Sequence, residues 1–264
     1  TVIDVAICDF KELHPTEGYK KMAALTLPNY RVEDLEGHAV EAKIEDLGAN
    51  FEYDLPKDKF RQARIARQVR VTVPVHLAPL SWTTFQLLEG EQEHRDGIYQ
   101  NGVIDTPFVT VSVDENITVY DKTTHEAYED VIRFEDRGDI GNEYIYFQPK
   151  GTEPIYAELK GCEVLENTAR FAKILLKHEL TIPVSADEKL DAEQRGIIEF
   201  MTREAGRSEE LTTLPLETEM TVFVDNPQIR FKTRFTNTAK DHRIRLLVKT
   251  HNTRPSNDSE SIYE

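Results

Sequence analysis

Apolar and polar residues alternate with period two along much of the chain. Val69, Val71, Val73 and Val75 interleave with Arg70, Thr72, Pro74 and His76. Ile229, Phe231, Thr233 and Phe235 interleave with Arg230, Lys232, Arg234 and Thr236, and Ile244, Leu246 and Val248 with Arg243, Arg245 and Leu247. Side chains two apart share one face of a strand, so each run has a dry face and a mostly wet one. Such runs are the mark of antiparallel sheets packed on one side. Turn chemistry agrees. Asp225-Asn226-Pro227 separates two alternating runs, and Asp114-Glu115-Asn116 separates VTVSV from ITVY. Asn116 suits a left-handed position there. Helical signals are few: Ser185-Ala186-Asp187-Glu188 fits a capping box opening a short helix, and a long loop fits as well. The chain reads as all-β.

One polar, glycine-bearing stretch, EGEQEHRDGIYQNG at 89–102, reads as a hinge. It divides a small β-sandwich domain at 1–96 from a larger domain at 97–264. The larger part holds about ten strand-like runs, which suggests two big sheets face to face rather than an immunoglobulin-like module.

Composition narrows the partners. The 264 residues carry 32 Lys and Arg against 48 Asp and Glu, a net charge of −16. An acidic surface repels phosphate backbones and anionic lipid, so neither nucleic acid nor a membrane is an expected partner. No apolar run approaches the roughly 20 residues of a membrane span. The two cysteines, Cys8 and Cys162, make no disulfide framework and no zinc knuckle. The first residue is not Met and the chain opens on a strand-like run, which reads as a start within a longer protein.

Several motifs fail on context. His94-Arg95-Asp96 followed by Asn101 matches a kinase catalytic loop, but no glycine-rich loop, Asp-Phe-Gly or βα organisation accompanies it. As a His-x-Asp pair it lacks the further ligands that zinc needs. His178-Glu179 has no second metalloprotease His and sits in ILLKHELTIP, a strand-like run. Arg137-Gly138-Asp139 is a three-residue coincidence with an adhesion motif. No nucleophile elbow and no P-loop is present. The chemistry-bearing stretch is FEDRGDIGNEYIYF at 134–147, where acids, an Arg, an Asn and two glycines precede aromatics. Planar polar groups beside aromatic faces suit a sugar ring. Composition alone favours the plainer reading, a glycine loop whose acids accept from backbone amides.

That stretch also begins a family resemblance. FEDRGDIGNEYIYFQP, VTVSVDENITVYDKTT, PQIRFKTRFTNTAKDHRIRLLVKT and VPVHLAPLSWTTFQLLEG resemble blocks of the C-terminal β region of glycoside hydrolase family 38 α-mannosidases of bacterial type. They fall in family order between about residues 69 and 250, and residues 1–68 fit only loosely. The resemblance implies a large antiparallel supersandwich, galactose-mutarotase-like, after a small β domain. It implies a parent enzyme that cleaves α-mannosides with retention, using zinc and an Asp nucleophile in an upstream domain. No catalytic residue, metal ligand or cofactor is therefore expected in this chain. By position in the family pattern, Tyr144 approaches the bound sugar, and Asp136, Arg137, Asp139 and Asn142 belong to the same substrate-binding loop. The expected partners are an α-mannoside and the parent's own catalytic domain, with a homo-oligomer left open. The bacterial cytosol is the expected compartment, and HNTRPSNDSESIYE reads as a truncated end. The rival readings are a stand-alone carbohydrate-binding or structural module and a sugar mutarotase. The latter needs a His and a Glu in one pocket, and no histidine stands out for it in the sequence.

Overall fold

The structure is a computed structural model that describes residues 1–10, 15–55, 57–93, 95–142 and 144–250. His94 of the His-x-Asp pair, Glu143 of the loop and the terminal HNTRPSNDSESIYE lie outside the described residues. The chain forms two compact units, 1–94 and 95–264. Both are built of antiparallel sheets, so the protein is all-β.

The first unit contains β1 (Val2–Phe10), α1 (Pro15–Ala23), β2 (Tyr30–Glu33), β3 (Ala39–Val40), β4 (Lys43–Asp54), β5 (Gln62–Thr72) and β6 (Gln86–Glu89). They make two three-stranded sheets, ordered β1-β5-β4 and β3-β2-β6. Val69, Val71 and Val73 share one face, as the alternation predicts, and pack on Val32, Ile44 and Leu87. Arg67 is the polar exception. Its Nη1 donates to the carbonyls of Met22 (2.8 Å) and Ala23 (3.2 Å), satisfying the open end of α1, and Asp46 balances its charge.

The second unit contains β7 (Tyr99–Gln100), β8 (Val103–Asp105), β9 (Val109–Val113), β10 (Ile117–Asp121), β11 (Glu126–Tyr128), β12 (Ile132–Gly138), β13 (Ile155–Tyr156), β14 (Glu158–Asn167), β15 (Phe171–Pro183), α2 (Lys189–Arg195), β16 (Leu211–Phe223), β17 (Ile229–Phe235) and β18 (His242–Val248). One layer is the four-stranded sheet β14-β15-β16-β17. Its centre is the β15–β16 pair, in register from Phe171 opposite Phe223 to Pro183 opposite Leu211. Thirteen residues at roughly 3.3 Å each span about 43 Å. The strands opposite are much shorter, so one sheet cannot cover that length, and two lie end to end instead. The five-stranded sheet β11-β10-β9-β8-β7 packs Val109, Val111, Val113, Ile117 and Val119 on Ala172, Ile174 and Leu176. The three-stranded sheet β13-β12-β18 packs Phe134, Ile155 and Ile244 on Leu180, Ile182, Leu214 and Leu216. The sandwich expected from sequence is present, with one of its faces divided in two.

Two local expectations change. Asn116 has no left-handed backbone; among the described residues other than glycine a positive φ falls to Asn101, His125, Asp130 and Asp241, with Leu80 and Ile197. The turn instead closes through the Asp114 amide to the Asn116 carbonyl, 3.1 Å. α2 does form, but without the Ser185 box. Asp187 Oδ1 accepts from the Lys189 amide at 3.0 Å, while Ser185 Oγ donates to the Ala186 carbonyl. A reach one residue shorter than the box's suffices because the chain is already pinned there, with Asp187 and Gly206 exchanging hydrogen bonds.

Candidate functional site

The candidate site grows from β12, whose sequence IRFEDRG buries one face throughout and a single residue, Glu135, of the other. Ile132, Phe134, Asp136 and Gly138 point to the core, and Arg133, Glu135 and Arg137 point outward. Glu135 and Asp136 are both buried although they lie on opposite faces. A buried carboxylate must be paired, and each of these finds its partners on other elements.

Asp136 is fully buried. Its Oδ2 accepts from Arg207 Nη1 at 2.6 Å, and its Oδ1 lies 2.6 Å from His242 Nδ1. His242 Nε2 is 3.0 Å from Asn237 Oδ1, which also accepts from the Ala239 amide. This places Asp136 inside the fold, tying β12 to β18 and to the segment before β16. Gly138 leaves room for the Arg207 side chain beside it: an added Cβ would sit 3.0 Å from both Arg207 and Pro149 and press on them.

Glu135 is the hub of the outer face. It accepts from Arg137 Nε (2.9 Å), Arg245 Nε (3.0 Å) and Tyr156 Oη (3.3 Å). Arg245 is its register partner on β18 and Tyr156 its partner on β13, so the cluster is a cross-strand pairing. The Arg137 and Arg245 guanidinium groups outweigh the burial cost and hold its carboxyl down to about 2. Arg137 Nη1 continues to Gln148 Oε1 at 3.0 Å, and the Arg243 guanidinium lies 3.6 Å from the Tyr146 ring centroid.

Beyond Gly138 the chain makes a tight loop. Asp139 Oδ1 accepts from the amides of Gly141 (2.9 Å) and Phe147 (3.1 Å), closing its base. Asn142 Oδ1 accepts from the amides of Tyr144 and Ile145, both at 2.9 Å, shaping its tip. Arg203 Nη1 donates to the carbonyls of Ile140 and Gly141 from below. Ile140 and Phe147 anchor the loop on Ala186, Leu190 and Ala205. Gly141 is obligatory, since a Cβ there would stand 1.8 Å from the Ile145 carbonyl oxygen. The result is a stapled finger with Tyr144 at its end, 87% exposed.

The five residues singled out in the sequence thus separate by role. Tyr144 is presented to solvent. Asp139 and Asn142 hold the loop's backbone, Arg137 joins the Glu135 cluster, and Asp136 is interior. The adhesion reading of 137–139 finds no free charge, because Arg137 and Asp139 are both engaged within the fold. Sequence reading missed Glu135, Arg203, Arg207 and His242 as partners. Register alone carries the signal for Glu135 and His242, and only the folded chain brings Arg203 and Arg207 near. Among the described residues, the groups close enough to share a metal ion are Asp34, Glu36 and His38 of the first unit. There Asp34 already accepts from the Glu36 and His38 amides and pairs with the His38 ring.

Fold and finger together define an antiparallel β-sandwich that presents one stapled loop. Residues 1–89 match the family model for glycosyl hydrolases family 38 C-terminal domain 1. The chain is homologous to a protein of Halalkalibacterium halodurans named "Putative mannosylglycerate hydrolase", 30% identical over 257 residues, covering 92% of this chain and 28% of that protein. An alpha-mannosidase from Enterococcus faecalis V583 matches in structure over 100% of this chain and 31% of its own, with 33% identity and a TM-score of 0.88. A glycosyl hydrolase family 38 protein from Enterococcus faecalis matches over 93% of this chain and 30% of its own, with 31% identity and a TM-score of 0.81. Residues 1–89 thus match a family 38 C-terminal domain, and the chain as a whole is similar in sequence and structure to these proteins. It spans less than a third of the length of these relatives. The family model falls on the part whose resemblance by eye is weakest.

Proposed function

We propose that this chain is the accessory β region of a retaining glycosidase acting on mannosyl substrates. Its part is to wall the substrate cleft and brace the catalytic domain. The observation that carries this is the finger at 139–147, stapled on three sides and presenting one exposed phenol. A rigid loop ending in a hydroxyl that can donate and accept is suited to holding a sugar hydroxyl in place. Positioning of that kind contributes to rate without chemistry at the loop itself. Two of the relatives carry the mannosyl group in their names, and one of these adds glycerate, so the proposal assigns the mannosyl half alone. On this reading the nucleophile and zinc belong to a catalytic domain outside this chain, and the protein acts in the bacterial cytosol.

The test is Tyr144→Phe in the complete protein that carries this chain, assayed with an aryl α-mannoside and with mannosylglycerate. Loss of one hydrogen bond to a sugar hydroxyl lowers kcat/KM about 3- to 10-fold. An unchanged kcat/KM on both substrates removes Tyr144 from the cleft.

A further inference from the structure

Halfway along β15 the inward alternation Ala172, Ile174, Leu176, Leu180, Ile182 is broken by a histidine. His178 occupies the same face, between the core under the five-stranded sheet and the core under the three-stranded one. It is 94% buried by its 6% exposure, its Nδ1 has no hydrogen-bond partner, and its ring packs edge-on to Phe134 at 5.2 Å. Burial holds it neutral, with its pKa pushed down to about 4. An orphaned buried nitrogen costs roughly 1–3 kcal/mol. A leucine would fill the position at no such cost.

The histidine lines a cleft. Where the two short sheets meet end to end they leave a hollow of about 310 Å³, bounded by the 115–117 turn, the start of β12 and the start of β14. Its polar lining is Glu115, Asn116, Asp130, Arg133, Glu158 and His178. The volume is that of a monosaccharide-sized site. Two of the three lining carboxylates are already paired, Asp130 with Arg133 at 3.1 Å and Glu158 with Lys160, which leaves the rim with no free cation to draw an anion and with Glu115 against it. The charged rim disfavours an apolar guest. A neutral imidazole, an amide and several carboxylates are the set that a ring of hydroxyl groups satisfies, since each hydroxyl both donates and accepts.

We propose that this seam is a binding site for a neutral, pyranose-sized polyol, with His178 as its floor. It is independent of the role given to Tyr144. The test uses the chain with 15N-labelled histidine, titrated with methyl α-D-mannopyranoside and, separately, with ethanolamine as a cationic probe. The site predicts saturable shifts of the His178 ring resonances with the sugar, in the millimolar Kd range. His178→Phe, which keeps the contact with Phe134, should abolish sugar binding measured by calorimetry. Asn116→Ala, in an exposed turn, should weaken it about 3-fold or more with the fold intact. Absence of His178 shifts at saturating sugar overturns the proposal and leaves a crevice filled by water. Equal binding to both variants, or binding of ethanolamine alone, overturns it as well.

Discussion

Asp136 and His242, 106 residues apart in sequence, share a 2.6 Å hydrogen bond inside the second unit, and Arg207 closes the same carboxylate from the other side. Removing the central anion leaves a guanidinium and an imidazole buried without it. Breaking a buried pair in this way costs about 3–5 kcal/mol. Asp136→Ala should lower the urea midpoint accordingly, and a loss under about 1 kcal/mol would show that the triad is incidental. Asp136→Asn keeps the shape and removes the charge, so its smaller loss measures the ionic share.

The strands were readable from the alternation, because a half-buried strand writes its two faces into the sequence. His178 was visible as part of a strand, but not as the polar member of an apolar face. Asp136 reads from the sequence as a member of the substrate-binding loop, since nothing local marks the arrival of Arg207 from 71 residues away. The seam in the sandwich was not legible at all. It follows from comparing the length of the β15–β16 pair with that of the strands opposite, which is a property of pairing rather than of any one segment.

The finger's rigidity makes its own prediction. At Gly141→Ala the new methyl meets the Ile145 carbonyl oxygen at 1.8 Å, so the tip must move. Overpacking of this kind costs about 1–3 kcal/mol. Amide exchange at Tyr144, Ile145 and Phe147 should accelerate. Gly161→Ala is the matched control, because nothing lies within 4 Å of an added Cβ there. Equal exchange in the two variants would contradict the stapled loop.

Glu135 sets an acid limit. Its folded pKa, about 2, lies below its ordinary 4.5, so the folded state binds its proton less readily than the unfolded one. The stabilisation is complete above pH 4.5 and drains away as pH falls towards 2. Arg245 is partly open to solvent, so the contribution is on the order of 1–2 kcal/mol after screening. Glu135→Gln should flatten the stability profile below pH 4.5. An unchanged profile would mean that the arginines do not act on this carboxyl.

His178 acts in a higher window and with a different cause. Burial lowers its pKa from 6.5 to about 4, so between those values the unfolded chain takes up a proton that the folded chain refuses. Stability is full above pH 6.5 and falls as the medium is acidified, by about 2 kcal/mol at pH 5. Chemical denaturation at pH 7 and pH 5 measures this directly. In His178→Leu the drop between the two pH values should shrink by that amount, while Glu135→Gln should leave it untouched because its carboxyl titrates lower. The same drop in both proteins would mean that His178 is hydrated in the folded state.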